Sequence, residues 1–254
     1  MNSGMVLCTV LGLLLLVIPA GLLYLMDRKL LRTFGIAFGQ MLLQMAVLGL
    51  IVWGVVHVDR WWVNLFWLAL MAVWSAWVVS KKTHLDLRKV LMPVCGGLLA
   101  GTLLVGMYLL FLVLGYHKPM SAVWFVPLMG LLLGHSLTMN IRGLSAYHSA
   151  LQADEQQYEY LRGNGMSHLQ AVMPFLRRAF QALLAPTASN LAVMGRYTMP
   201  LLLCGIMMDG CPPVFAFLAT ILLTVGCIAS SVISLAVTLW LADRQLFDKF
   251  GKLK

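Results

Sequence analysis

Residues 145–180 read SAYHSALQADEQQYEYLRGNGMSHLQAVMPFLRRAF and form the one long polar stretch in an otherwise apolar sequence. We call this stretch the polar segment. Its first half, Ser145–Arg162, carries acidic residues, glutamines and tyrosines. Gly163, Asn164 and Gly165 then interrupt it, and because these residue types tolerate positive φ they predict a tight turn.

A second helix is predicted to follow this turn. Ser167 with Gln170 three residues later fits a capping box, in which each residue satisfies a free backbone donor at a helix start. Apolar residues then recur at helical spacing as far as Leu183. The polar segment is therefore predicted to be an amphipathic helix–turn–helix, which either rests on lipid headgroups as an anchor or receives a cytoplasmic partner.

The composition indicates a helical membrane protein. The chain has 254 residues, of which 61% are hydrophobic and 11% charged, whereas soluble domains are about a quarter charged. Its repeated apolar runs of about 20 residues suit membrane-spanning helices rather than the strands of a barrel. The net charge is +9, but the basic residues lie in short loops and not on one face, so a lipid bilayer and not a nucleic acid is the expected partner.

Seven spans are predicted, making an all-α membrane protein with the N-terminus outside and the C-terminus inside. They are Met5–Met26, Phe34–Val56, Trp61–Ser80, Val90–Leu114, Ala122–Ile141, Thr187–Met208 and Val214–Leu241. The first apolar run has no basic residues ahead of it, so it is interpreted as a retained span and not as a signal peptide.

The positive-inside rule sets this orientation, because it places 15 of the 18 Lys and Arg residues on the cytoplasmic side. The three exceptions are Arg60, Lys118 and Arg196. The chain is thus predicted to be a single transmembrane domain over residues 1–254 in the cell membrane, with residues 144–186 in the cytoplasm between spans five and six.

Catalytic signatures are missing from the sequence. Gly163, Asn164 and Gly165 lack the lysine and the preceding strand of a phosphate-binding loop, and no HExxH pattern occurs. The chain is therefore not expected to be an enzyme or to bind a cofactor by itself. Ser230, Ser231 and Ser234 in span seven are interpreted as small residues that let helices pack closely.

Polar residues inside the predicted spans are candidates for a substrate pathway. They are Gln40, Gln44, His135, Asn140, Asn190 and Arg196. A charge at mid-span costs about 2.5–3.5 kcal/mol unless it faces protein or water. Arg196 is therefore either a pore-facing cation that attracts an anionic substrate or one member of a structural pair, and the two glutamines face either a pore or a neighbouring helix.

Sulfur-containing residues gather at the outer end of span six. Met199, Cys204, Met207 and Met208 carry thioethers and a thiol, which suit soft metals such as Cu(I). Methionine also fills apolar space in cores, and the chain has 17 of them. The cluster is thus either a metal site or ordinary packing.

Several motifs resemble those of the FetB-type (UPF0014) permeases, the seven-span membrane subunits of ABC transporters linked to iron export. Pro127, Gly130 and Gly134 match a P-x-x-G-x-x-x-G pattern in span five. Asp154–Leu161 followed by Gly165 is similar to the cytoplasmic helix and turn of that family, here one residue longer. Further matches are Arg177, Pro186 and Thr187 ahead of span six, and Gly195, Pro200, Gly205, Gly210 and Pro213 within and after it.

The resemblance implies a concrete function. The chain would be an ABC permease, present as a homodimer, that exports a metal ion (iron in the family) or a small solute. A separate cytoplasmic ATPase subunit would bind ATP and Mg²⁺ and would seat the polar segment. The expected coupling residues are Tyr158, Tyr160, Leu161, Arg162, Gly163, Gly165 and Ser167.

Two other classes of protein fit the same pattern. One is an ATP-independent channel or secondary carrier, which an inverted repeat would support, although none is visible. The other is an assembly protein whose polar segment recruits a partner without transport.

Overall fold

The structure is a computed structural model that describes residues 11, 14–15, 17–26, 28–83, 87–113, 120–208 and 210–246. These residues form helices and turns, and no strand occurs among them. The chain divides into two compact units, Met1–His57 and Val58–Lys254, and each is described by itself.

The first unit contains α1 (Val17–Met26) and most of α2 (Arg28–Val58). The helices of the second unit are α3 (Trp61–Thr83), α4 (Leu87–Tyr108), α5 (Ala122–Ala153), α6 (Glu155–Gly163), α7 (His168–Met208) and α8 (Pro213–Leu246). A π-helical turn, Leu109–Val113, continues α4.

Membrane-length helices dominate the described part of the chain. Five stretches are long and apolar enough to cross a bilayer: Arg28–Val58, Trp61–Thr83, Val90–Val113, Ala122–Ala153 and Pro213–Arg244. The two longest of them have 32 residues each, or about 48 Å at the rise of an α-helix, against about 30 Å of hydrocarbon. The all-helical prediction is confirmed for the described residues.

α5 lies at the centre of the second unit and packs against α3, α4, α7 and α8. α4 and α8 approach each other closely where glycines meet serines. A Cβ at Gly101 would lie 2.6 Å from the Ser230 carbonyl oxygen, and one at Gly97 would lie 2.7 Å from that of Ser234. The serines of span seven therefore pack helices closely, as the sequence predicts.

The N-terminus of α5 is capped by a residue from the turn between α2 and α3. Asp59 accepts hydrogen bonds from the Ala122 backbone N–H at 2.6 Å and from the Ser121 hydroxyl at 3.2 Å. A carboxylate is favourable here because it satisfies a free donor and faces the positive end of the helix dipole.

The opposite end of α5 differs from the sequence prediction. Span five is predicted to end at Ile141, with a separate helix from Ser145 to Arg162, yet α5 runs unbroken to Ala153 and α6 begins after Asp154. Residues 144–153 contain neither a glycine nor a proline that would interrupt the helix. The helix therefore continues past the point where its hydrophobicity falls.

The second half of the polar segment is likewise continuous with the following span. α7 has 41 residues and runs without a break through Thr187, where a separate span is predicted to begin, and through the preceding Pro186. Pro186 removes one backbone hydrogen bond, the one to the Ala182 carbonyl, and the helix continues through it. In the same turn the Thr187 hydroxyl donates to the Leu183 carbonyl at 2.7 Å. The amphipathic helix and the predicted span six are thus one continuous helix.

Candidate functional site

The turn inside the polar segment closes α6 with a Schellman motif. Met166 N–H donates to the Leu161 carbonyl at 3.3 Å, Gly165 N–H donates to that of Arg162 at 3.1 Å, and Gly165 has φ of +81°. Glycine is favoured there because a side chain is strained at positive φ. The predicted tight turn is confirmed.

The predicted capping box at the start of α7 is also present. The Ser167 backbone N–H donates to the Gln170 side-chain oxygen at 3.0 Å. In return, the Gln170 N–H donates to the Ser167 hydroxyl at 3.4 Å. Local sequence signals therefore fix both the end of α6 and the start of α7.

Four helices meet next to this turn through a network of hydrogen bonds. Asp243 at the end of α8 accepts from the Tyr147 hydroxyl of α5 at 3.2 Å. Its other carboxylate oxygen lies 2.7 Å from Nε2 of His168, the first residue of α7. His168 Nδ1 lies 3.0 Å from the hydroxyl of Tyr158 in α6.

Proton positions in this network follow from its acceptors. An ionised carboxylate only accepts, so Nε2 of His168 carries a hydrogen towards Asp243. In the neutral imidazole Nδ1 then accepts from Tyr158. Burial raises the pKa of the Tyr158 hydroxyl above its ordinary value, so this group stays protonated at neutral pH and can donate.

The network combines buried and partly solvated groups. Tyr147 and Tyr158 are 0% and 3% exposed and belong to the hydrophobic core. The side chains of His168 and Asp243 are 33% and 22% exposed. The tyrosines therefore anchor the network in the core, while His168 and Asp243 remain in contact with water.

The expected coupling residues fall into two groups around α6. Tyr158 is buried, and Leu161 packs partly against the core. The exposed group consists of Tyr160, Arg162, Gly163, Gly165 and Ser167. Tyr160 is the most prominent, with 70% of its surface exposed.

A second polar contact joins α6 to α7. Arg178 donates to Asp154, the residue between α5 and α6, with a distance of 2.6 Å. Both side chains are well exposed, at 48% and 39%. This ion pair is therefore screened by water and contributes little to stability.

Two of the substrate-pathway candidates lie on one seam between α5 and α8. His135 Nδ1 is 2.8 Å from the Ser231 hydroxyl. The buried Asn140 amide donates to the Ser234 hydroxyl and to the Ser136 carbonyl, both at 2.8 Å. We call this line of contacts the polar seam.

The polar seam continues through one more pair and contains an unsatisfied acceptor. Ser136 and Ser230 lie 3.1 Å apart through their hydroxyls. In the part of the chain that the structure describes, the Asn140 side-chain oxygen is buried without a hydrogen-bond partner. A buried amide oxygen of this kind leaves an acceptor available within the bundle.

The remaining candidates are placed separately. Gln40 and Gln44 lie in the first unit, exposed and one turn apart on α2. Asn190 is exposed on α7. Arg196 lies in the same helix, but its side chain is outside the described residues.

The proposed sulfur cluster is described only in part. Cys204 and Met207 are exposed near the end of α7, and Cys204 is a free thiol. The side chains of Met199 and Met208 lie outside the described residues. Elsewhere in the described ranges, no group of three or more His, Cys, Asp or Glu side chains has the arrangement of a metal site.

Sequence reasoning missed the centre of the hydrogen-bonded network. Asp243 and Tyr147 are not among the predicted site residues, and they lie 96 residues apart. A usable signal is the position of Asp243, which is the one carboxylate in the long, mostly apolar α8. Its partners could not be identified because no local pattern connects them.

Comparison with known proteins gives two matches. The family model described as "Uncharacterised protein family (UPF0014)" matches residues 6–247. A UPF0014 membrane protein of Synechocystis sp. is 26% identical over 219 residues, which covers 85% of this chain and 84% of that protein. No solved structure matches the chain significantly.

Proposed function

The chain belongs to the UPF0014 family of multi-pass membrane proteins, and we propose that it acts as the membrane-spanning permease subunit of an ABC transporter. In this proposal the chain crosses the cell membrane seven times and works as a homodimer. A separate cytoplasmic ATPase subunit binds ATP and Mg²⁺ and hydrolyses the nucleotide. The five membrane-length helices and the distribution of basic residues support this arrangement.

The observation that carries the proposal is the build of α6. This nine-residue helix has a buried face anchored by Tyr158 and an exposed face of acidic residues and glutamines that ends in Tyr160. A tyrosine that is 70% exposed suits a partner protein, because aromatic side chains supply much of the contact energy at interfaces. We call Tyr160, Arg162 and Gly163 the docking surface.

The direct connections of α6 fit a coupling role. α6 follows α5 after one residue and leads through a short turn into α7. A push on the docking surface would therefore act on two long helices of the bundle. If α6 docks in a groove of an ATPase subunit, closure of that subunit would move α5 and α7.

The cargo is proposed to be a metal ion, iron by resemblance, or a small solute. His135 and Asn140 on the polar seam are the best-supported pathway residues, because they bring a partly exposed imidazole and an unsatisfied amide oxygen into the bundle. Gln40, Gln44, Asn190 and Arg196 remain pathway proposals.

Replacing Gly163 with a large and with a small residue tests the docking surface. No atom lies within 4 Å of a Cβ built at Gly163, and its φ is not positive, so the fold accommodates a side chain there. We expect Gly163→Trp to lower ATP hydrolysis by the ATPase subunit that co-purifies from native membranes by about fivefold or more. Gly163→Ala is the matched control and should leave hydrolysis unchanged.

Gly165 is unsuitable for this test, because any side chain at φ of +81° strains the turn itself. Equal hydrolysis with Trp and Ala at position 163 would contradict the docking surface. A wild-type chain that co-purifies with no ATPase subunit, and that carries out flux alone in liposomes, would replace the proposal with an ATP-independent channel or carrier.

A further inference from the structure

We propose that Asp243 is the positioning residue through which movement of the docking surface reaches the polar seam. The inference rests on the proposed function, since it concerns how a push on α6 is passed to the spans. The two oxygens of the Asp243 carboxylate contact two different helices. One contacts Tyr147 of α5 and the other contacts His168 of α7.

The connection from α6 to Asp243 runs through His168. Tyr158 contacts this imidazole twice: its hydroxyl lies 3.0 Å from Nδ1, and its ring meets the imidazole edge-on at 84°, with 6.0 Å between the centroids. An isolated nine-residue helix is unstable. α6 therefore moves together with the groups that hold it, and the Tyr158–His168 contact joins it to α7.

The connection from Asp243 to the polar seam runs along two continuous helices. Asp243 and Ser234 are nine residues apart on α8, which is about 13 Å at the rise of an α-helix. Tyr147 and Asn140 are seven residues apart on α5, about 10 Å. Because neither helix breaks in these intervals, a shift at the network changes the relative position of Asn140 and Ser234.

The environment of Asp243 suits a contact that rearranges. The neighbouring Arg244 lies over the Trp240 ring, 4.0 Å from its centroid. The Asp243 and His168 side chains retain 22% and 33% exposure, so water can solvate both groups when their contact opens. A fully buried pair would not open readily, because separating its members would leave an uncompensated charge in the core.

The test in the complex uses Asp243→Asn and His168→Gln in the chain purified with its ATPase subunit. We expect each variant to retain the ATPase subunit on pull-down but to lower ATP hydrolysis per bound subunit by about fivefold or more. Asp243→Glu, which keeps both acceptor oxygens, should restore part of the hydrolysis. A purely structural role would not separate partner binding from hydrolysis in this way.

Asp154→Asn is the matched control. It also neutralises a carboxylate that contacts a side chain of α7, but its partner is the exposed Arg178 and not His168. We expect hydrolysis to stay within about twofold of wild type, as for other exposed ion pairs. The inference is overturned if Asp243→Asn behaves like this control, or if it loses the ATPase subunit altogether.

A second measurement needs no partner. In nanodiscs, amide hydrogen exchange over residues 155–170 should be faster in Asp243→Asn and in His168→Gln than in wild type. The double variant should exchange no faster than the more affected single variant, because both remove one connection. Unchanged exchange overturns the inference. A wild-type chain that co-purifies with no ATPase subunit instead contradicts the proposed function. In that case the exchange measurement still decides whether Asp243 holds α6.

Discussion

Gly165 illustrates how much of the polar segment is decided by single residues. Its φ of +81° lets the chain close α6 and turn towards α7 within a few residues. Two backbone hydrogen bonds from Gly165 and Met166 satisfy the last carbonyls of α6. The neighbouring Gly163 has no such requirement, so the two glycines of one turn have different roles.

This difference predicts unequal effects of the same substitution. Gly165→Ala should lower the free energy of unfolding by about 1 kcal/mol, because the left-handed conformation disfavours a Cβ. Gly163→Ala lies inside α6 and should be neutral or slightly stabilising, since alanine favours helices. Thermal unfolding of both variants in the same detergent checks this, and equal shifts would show that the turn does not require glycine.

At the same scale, the sequence predicts side-chain contacts between residues that are close together in the chain. Ser167 and Gln170 form the capping box from three residues apart, as the pattern predicts. His168 and Asp243 are 75 residues apart, and only the packing of α7 on α8 brings them together. Their contact could not be predicted because single-sequence patterns carry no information on which helices are neighbours.

At the scale of helices, two pairs of glycines with the same spacing have different surroundings. Gly97 and Gly101 on α4 are pressed against α8, whereas Gly130 and Gly134 on α5 have no atom within 4 Å of a built Cβ. Small residues at this spacing let membrane helices approach closely. In this unit the first pair makes such an approach.

Gly101→Ala should therefore be far more damaging than Gly134→Ala. The added methyl group at Gly101 would lie 2.6 Å from a backbone oxygen, and relieving this overlap costs about 1–3 kcal/mol. Gly134→Ala should be close to neutral for the folded chain. The yield of folded protein after a heat step, compared between the two variants, measures the difference, and similar losses would contradict the α4–α8 packing.

Helix ends were the least predictable elements. Hydropathy predicts that span five ends where the apolar residues stop, near Ile141, but α5 continues to Ala153. Hydropathy reports where side chains meet lipid, while a helix ends where its backbone hydrogen bonds end. These two points coincide only when a glycine, a proline or a cap lies at the membrane surface.

At the scale of the whole molecule, the length of α5 sets the distance between its two polar ends. Asp59 caps its first turn, and Asp154 follows its last turn. The 32 residues between them span about 48 Å. This exceeds the hydrocarbon thickness of a bilayer, so the two ends are expected on opposite sides.

Cysteine labelling tests this arrangement in intact cells. In a variant whose five cysteines are replaced, Ser121→Cys should react with an impermeant maleimide from outside. Tyr160→Cys should react only after the membrane is permeabilised, because the positive-inside rule places the polar segment in the cytoplasm. Reversed labelling of the two sites would invert the topology.

Because α7 is one continuous helix, it also limits where residues can be inserted into or deleted from the chain. One residue added between His168 and Pro186 would rotate every later side chain by about 100° around the helix axis, and would turn buried positions such as Thr187 away from their neighbours. One residue added in the exposed turn before α7 would be absorbed without such a rotation. Insertions and deletions among relatives should therefore collect between α6 and α7 and be rare within α7.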